Sequence, residues 1–408
     1  MKELLNLGDL FISDFIKANE KPRGGKYELK VVLDENINAP RLENPPKLGE
    51  MFGKYWYRSG VNKTMKNELK EVVNSVLKIK KLEKNDIWID IASNDGTLLS
   101  FLPKKLIKIG IDPADDTYKI ESEKYGDLII QDYFSSNLYK NSKYGYKKAK
   151  VITCIAMFYD LENPKKFLSE VAEIIDENGV FVLQMSYTPL MIEQLAFDNI
   201  CHEHVWYYSL FNIKELLESC GFTVFNVELN DVNGGSFRVY STINSNLKTI
   251  GTQQYKDVSN YKINSILEYE KTLKLNDINT WKDFFNKIEI LKNTLLEFLI
   301  EKKKEGKKIW AYGASTKGNT LLQYFGLNNS LIDGIADRSH YKWGCKTVGT
   351  NIQIYSEDEM RKQKPDYLLI LPWHFISEFM IREKEFLKNG GQFIVPCPKF
   401  NLISYKSE

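Results

Sequence analysis

Residues 201–210 read CHEHVWYYSL, and His202, Glu203 and His204 place two of the chain's four histidines around one carboxylate. Three chemistries compete for such a tripeptide. Residues i and i+2 of an extended chain face the same way, so the two imidazoles could begin a metal site. A third ligand is then required, and no further histidine or cysteine cluster supplies one. The two rings can instead be satisfied in a polar structural network. The third chemistry is acid–base: an imidazole titrates near neutral pH and can take a proton from carbon. An adjacent carboxylate can then orient the ring and stabilise its charged form.

A second candidate is the stretch WIDIASNDGTLLSFL, which reads as strand, tight loop, helix. It departs from GxGxxG, with Ala92 in the first glycine place and Gly96 in the last. Asp90 lies in the strand end, and Asn94 and Asp95 occupy the loop. Asp112, in IGIDP, ends the next strand, where a carboxylate can accept from two vicinal ribose hydroxyls; Asp132, in IIQDYF, ends the third, where an adenine amino group can be read. The turn has one glycine and no lysine, so it offers no phosphate cradle. Adenosine held by sugar and base without a pyrophosphate points to S-adenosylmethionine rather than NAD, whose pyrophosphate needs the missing glycines. An ordinary structural strand–helix turn is the competing reading.

The third candidate is WAYGASTKGNTLL. Gly313 and Gly318 have four residues between them, but Lys317 precedes the second glycine and Asn319-Thr320 follow it, which argues against an ATP-hydrolysing loop. Backbone amides at a helix start still favour an anion, and Ser315, Thr316 and Lys317 add donors and charge. Simple capping by Ser315 or Thr316 is the alternative. Asp337, in IADRS, sits at the next strand end as a ribose ligand or a turn carboxylate. His374, in PWHF, can face a cleft between domains or be buried and paired.

The elements that must position these residues follow from the punctuation. DIWIDIAS, KIGIDP, DLIIQDY, KVITCIAMFY and GVFVLQMSY read as strands with helical stretches between several of them, which implies a mainly parallel sheet covered on both faces. FTVFNVEL and SFRVYSTI, joined through Asn233-Gly234-Gly235, read as a closing antiparallel pair. A long helical region follows, and KKIWAYGA restarts a smaller α/β pattern ending in QFIVPCP. Residues 1–66, with Pro22, Pro40, Pro45, Pro46 and Gly24-Gly25, read as an irregular lobe that wraps the next domain. The expected division is a lobe at 1–66, an α/β domain at 67–245, and a second Rossmann-like α/β domain with its connecting helix at 246–408.

Composition narrows the function classes. A chain of 408 residues with formal charge +2 and 43% hydrophobic residues suits globular domains, and the near-neutral balance argues against a phosphate-tracking nucleic-acid surface. Five scattered cysteines without a CxxC are no disulfide framework. The N-terminus carries acids where a signal peptide needs an apolar run, and no apolar stretch approaches the roughly 18 residues of a membrane span. The expectation is a reducing, cytoplasmic setting with neither nucleic acid nor membrane as partner. The sequence carries no signal for an oligomeric state.

Taken in order, YRSG, SNDGTLL, MFYDL, CHEHVWYYSL, NGGSFRVY, YGASTKGN and LPWHF resemble the motifs of the nucleotide-sugar C-methyltransferases, from about Tyr55 to the C-terminus. The resemblance implies a class I S-adenosylmethionine-dependent methyltransferase domain and a C-terminal Rossmann-like domain that helps hold the sugar nucleotide, with Gly313, Ser315, Thr316 and Lys317 at its diphosphate. It implies addition of a methyl branch to the carbon alpha to the ketone of a 4-keto-deoxy sugar, taken as C3, through an enolate. His204 inherits the role of base, Glu203 that of its electrostatic partner, and Tyr55 or Tyr57 that of a tyrosine lining the sugar site. Cys201 stands where some members carry tyrosine and Tyr159 where some carry histidine; with His202, Asp337 and His374 these border the expected substrate site. Members normally bind zinc through cysteines of the N-terminal lobe. This chain has no cysteine before Cys154, so no metal is expected and the lobe must hold by packing. A sugar O-methyltransferase and a non-catalytic nucleotide-sugar binding protein are the alternatives.

Overall fold

The computed structural model describes residues 2–17, 19–22, 24–52, 56–243 and 253–405; Tyr55 lies outside them. The N-terminal segment is more regular than its prolines and glycines suggest. It contains strands β1 (Lys2–Phe11), β2 (Phe15–Ile16), β3 (Lys26–Asp34) and β4 (Ala39–Leu42), and β1, β3 and β4 form an antiparallel sheet in that order. Leu5, Leu7 and Leu10 of β1 and Leu29 and Val31 of β3 do not make a core alone. They join one apolar cluster with Trp281, Leu291 and Leu295 of the helix Ile278–Lys304 and with the second α/β sheet. A lobe too small to bury its own interior therefore borrows one. Its spine is C-terminal to the first sheet, so the lobe does not simply wrap the domain that follows it.

Strands β5 (Ile87–Ile91), β6 (Ile107–Ile111), β7 (Leu128–Ile130), β8 (Ala149–Ile155), β9 (Ile175–Ser186), β10 (Thr223–Asn230) and β11 (Ser236–Thr242) form a seven-stranded sheet in the order β10-β11-β9-β8-β5-β6-β7. β5 to β9 run parallel, and β10 and β11 close the edge antiparallel. IWIDI of β5 is buried throughout, as a strand covered by helices on both faces must be. One covering helix, Lys63–Ile79, is capped by the Asn62 side chain, which accepts from the Thr64 amide, and it buries Met65, Leu69, Val72, Val73 and Val76 at three- and four-residue spacing. Chain order reverses at β5, between β6 and β8, so the carboxyl end of β5 opens a ligand crevice.

Helices Gln253–Leu273 and Ile278–Lys304 lead to the second sheet. Strands β12 (Ile309–Tyr312), β13 (Ile335–Ala336), β14 (Lys346–Thr347), β15 (Ile354–Tyr355), β16 (Tyr367–Ile370), β17 (Gln392–Val395) and β18 (Asn401–Ile403) follow, and six of them pair in the order β15-β13-β12-β16-β17-β18. All of those pairings are parallel except β17 with β18. Here the reversal falls at β12, whose carboxyl end carries the Gly313 turn. The remaining strand, β14, pairs antiparallel with β2 of the lobe. Among the described residues, no helix is long and apolar enough to cross a membrane.

The lobe is stitched to both domains. The Asn319 amide donates to Ser13 Oγ (2.9 Å) and the Asp14 carbonyl (3.2 Å), while the Leu42 amide donates to the Val205 carbonyl and the Tyr207 amide to the Pro40 carbonyl. Phe15 is the apolar peg, fully buried and edge-on to Trp56 at 5.5 Å. Phe15→Ala is expected to cost about 3–5 kcal/mol in chemical denaturation and to make the lobe the first segment cut in limited proteolysis.

Candidate active site

The carboxyl ends of β5 and β12 open onto one cleft of about 520 Å³. Its walls come from all three parts of the chain: Phe15 and Trp56 from the lobe side, Asp90, Ala92, Asn94 and Asp112 from the first sheet, Tyr159, Glu203 and His204 beyond them, and Thr316, Lys317 and His374 from the second domain.

His204 is aimed by a compact turn. The 3-10 turn Phe197–Asn199 is followed by amide-to-carbonyl bonds from Cys201 to Asn199 and from His204 to Cys201. His204 Nδ1 lies 2.8 Å from the Asn199 carbonyl oxygen. A carbonyl only accepts, so Nδ1 carries the proton and Nε2 keeps its lone pair. The ring packs on Tyr159 with centroids 4.2 Å apart. Burial, then the Lys317 ammonium, hold the imidazole down to about 3, so it stays neutral. Burial and Lys317 likewise keep His374 neutral.

At the other end, the loop after β5 is shaped by backbone geometry. Ala92 and Asn94 adopt left-handed conformations. Gly96 also has positive φ, and a Cβ there would meet the Ser122 Cα at 2.7 Å. That close approach, rather than a phosphate, requires the glycine. Asp112 accepts from the Asn94 amide (2.7 Å) and the Ala114 amide (2.8 Å), one on each oxygen. Each oxygen retains a lone pair for a vicinal diol. Burial raises both strand-end carboxyls; Asp90 reaches about 7 although the Thr153 hydroxyl donates to it. Tyr133, Phe134, Pro113 and Met157 offer apolar wall beside Asp112. This donor set fits an adenosine without a pyrophosphate.

Two family descriptions match the chain: residues 61–227 match the methyltransferase domain, and residues 231–398 match the C-methyltransferase C-terminal domain. The chain is also 25% identical over 408 residues to the C-methyltransferase NovU of Streptomyces niveus, covering 99% of this chain and 95% of that protein. The chain is an S-adenosylmethionine-dependent methyltransferase. Solved structures similar to it include an S-adenosylmethionine-dependent methyltransferase from Clostridium acetobutylicum (14% identity, 44% of this chain and 92% of that one, TM-score 0.35). Another is the magnesium protoporphyrin IX methyltransferase of Synechocystis with bound S-adenosylhomocysteine (13% identity, 45% and 88%, TM-score 0.35).

In this methyltransferase several residues singled out by sequence stand elsewhere than expected. Glu203 was expected beside the His204 ring; the ring's Nδ1 bonds instead to the Asn199 carbonyl, and the Glu203 charge acts on Asp160. His202 is not at the cleft: its Nε2 meets the Tyr27 carbonyl at 3.1 Å, fastening β3 of the lobe. Cys201 is wholly buried outside the cleft lining. Asp132 is exposed and accepts from the Tyr133 amide, leaving Tyr133, Phe134 and Ser135 to line the wall. Asp95 accepts from the Gly60 amide and the Thr97 hydroxyl, and Asn94 accepts from the Ser59 amide while donating to the Tyr57 carbonyl. Both side chains hold the YRSG stretch over the loop, which keeps Tyr57 at the cleft, 40% exposed.

The second glycine turn is also partly structural. A Cβ on Gly313 would strike the Pro372 ring at 2.6 Å. Ser315 caps its helix by accepting from the Gly318 amide, yet it lines the cleft with Thr316 and Lys317. Asp337 accepts from the Ala314 and Ser339 amides and lies 3.5 Å from Lys342 Nζ, outside the cleft lining. Lys342 itself reaches the cleft, and so do Asp160 and Lys166; sequence reasoning missed all three. Only MFYDL, which contains Asp160, carried a signal. Among the described residues, no group of three or more histidines, cysteines and acids is placed to hold a metal.

Asp112→Ala is expected to weaken S-adenosylmethionine binding at least about tenfold in calorimetry, since hydrogen bonds to a charged group contribute about 1.5–3 kcal/mol, whereas Asp132→Ala leaves it near wild type. A base must be unprotonated, and a lowered pKa keeps His204 so as pH falls. The kcat/KM profile is therefore expected to show no His204 limb between pH 8 and about 5; a limb near the ordinary 6.5 would place the ring in water.

Proposed function

We propose that this enzyme adds a methyl branch at the carbon alpha to the ketone, C3, of a nucleotide-linked 4-keto-deoxy sugar, by way of an enolate made by His204. The carrying observation is that His204, with Nδ1 pinned to the Asn199 carbonyl, lines the same cleft as Asp90, Ala92, Asn94 and Asp112. The motif resemblance and the likeness to a C-methyltransferase along nearly the whole chain support carbon as the acceptor. S-adenosylmethionine, when bound, supplies the electrophilic methyl group.

Ala92, Asn94 and Asp112 hold the adenosine. His204 Nε2 takes the alpha proton, and the C–H electron pair passes through the new double bond to the ketone oxygen. Tyr57 and Tyr159 line the cleft as donors for that oxygen, the contribution that is usually largest in such reactions. Thr316 at its helix start, Lys317 and Lys342 bring positive charge to the phosphates and sugar. Aligning two bound reactants accounts for much of the remaining acceleration. The five cysteines are free thiols, which fits a reducing cytoplasmic setting.

Incubation with S-adenosylmethionine and a panel of keto and reduced nucleotide sugars, read by mass spectrometry and NMR, tests this reading. A methyl gained only on the keto sugars, at carbon, is expected; methylation at oxygen of the reduced sugars refutes it. His204→Asn is expected to lower turnover at least about a hundredfold with cofactor affinity unchanged.

A further inference from the structure

Asp160 is a buried carboxyl in the cleft that neither the sequence reading nor the mechanism above uses. It ends the 3-10 turn Phe158–Asp160 after β8, directly following Tyr159, whose ring packs on the base. Its side chain lines the cleft together with Glu203 and His204, yet its residue exposure is 9%. Among the described residues, Asp160 Oδ1 is buried without a hydrogen-bond partner, and no ion pair reaches the carboxyl. A buried carboxylate left in this state loses its hydration with nothing in return, whereas a protonated carboxyl tolerates it.

The groups around it reinforce that state. Glu203, Cys201 and Tyr207 face it from the 201–207 segment and Cys154 from β8, and none of them is a cation. Lys317, across the cleft, acts on His204; Glu162, just before the helix Pro164–Ile174, and Lys166 and Glu170 on it line the same cleft. Burial first, and the Glu203 charge second, push Asp160 far above the carboxylate range.

We propose that Asp160 is a catalytic hydrogen-bond donor, presenting a protonated carboxyl to the ketone oxygen while His204 removes the alpha proton. The inference rests on the keto-sugar reading above. In the step, the C–H bond breaks, an N–H bond forms at His204 Nε2, and the electron pair arrives on an oxygen already hydrogen-bonded by the Asp160 O–H. Glu203 keeps the proton on Asp160, because two adjacent desolvated carboxyls do not both ionise. This gives the HEH glutamate a role through its neighbour instead of through the imidazole.

The test is solvent-deuterium exchange at the alpha carbon of a nucleoside-diphosphate-linked 4-keto-deoxyhexose, followed by NMR without S-adenosylmethionine. Asp160→Asn keeps a neutral donor of the same shape, and Asp160→Ala removes it. The alanine variant is expected to exchange about a hundredfold more slowly, the usual cost of one lost oxyanion donor, with KM little changed. The asparagine variant is expected to stay within about tenfold of wild type and to lose the alkaline limb of the exchange profile, which in wild type marks ionisation of Asp160. Melting temperatures of both variants check the fold. An asparagine variant as slow as the alanine one, or one that keeps the alkaline limb, overturns the proposal. A folded wild type that exchanges no alpha proton overturns the keto-sugar reading and this proposal with it. An asparagine variant with weakened cofactor binding would make Asp160 a carboxylate facing the sulfonium, which also overturns it.

Discussion

The hydrogen bond between His204 Nδ1 and the Asn199 carbonyl is the constraint on which the site depends. A free imidazole offers either nitrogen and titrates near neutrality. Here one nitrogen is committed to the backbone, so the lone pair has one place to be. Burial then removes the protonated form from the resting enzyme. Such a ring is a weak base toward water. In the reaction proposed above it becomes a stronger one, because the enolate left when it takes the alpha proton replaces the hydration the imidazolium lacks. Lys317 opposes the imidazolium; in the proposed reaction it favours the enolate, so its net effect there is smaller than its effect on the isolated ring.

A second regularity links the two α/β domains. In each, an aspartate at the end of the second parallel strand accepts from a backbone amide of the loop after the first: Asp112 from Asn94, and Asp337 from Ala314. The carboxylate stiffens the turn that the ligand must approach. In the first domain Asp112 also lines the cleft. In the second, Asp337 is turned to the Ser339 amide and Lys342, and Lys342 reaches the cleft in its place. The same strand-end position thus lines the cleft in one domain and supports a cation in the other.

Sequence pattern was a good guide where local rules decide structure. The parallel strands, the antiparallel closing pair and the two crevice loops all follow from apolar runs punctuated by turns, and the cleft gathers Asp112, Lys317 and His374 from the strand ends and crevice loops and His204 from the turn after Phe197–Asn199. Pattern failed where partners are distant. The N-terminal strands were hidden because their apolar residues meet the helix Ile278–Lys304, far along the chain. His202 and His204 look equivalent in sequence, yet one meets the Tyr27 carbonyl and the other a carbonyl five residues upstream. Gly313 read as a diphosphate glycine, yet it and Gly96 are each required because Pro372 or Ser122 packs where a Cβ would sit. MFYDL marked the neighbourhood of Asp160, but that its Oδ1 is buried without a partner cannot be read from sequence.

How the lobe is held is the remaining structural question, and its answer bears on the cleft. Asn94 and Asp95 of the cofactor loop hold residues 57–60. Arg58 of that stretch lies 3.8 Å from the centroid of the Tyr118 ring in the first domain and 4.7 Å from that of Tyr341 in the second. A guanidinium between two aromatic faces is a favourable, shape-dependent contact. The loop after β5 therefore also fixes the segment that touches both domains and carries Tyr57 to the cleft. Phe15, Asn319 and β2 paired with β14 pin the segment from below. Its position rests on contacts with both domains, so the cleft wall that carries Tyr57 is built by both of them.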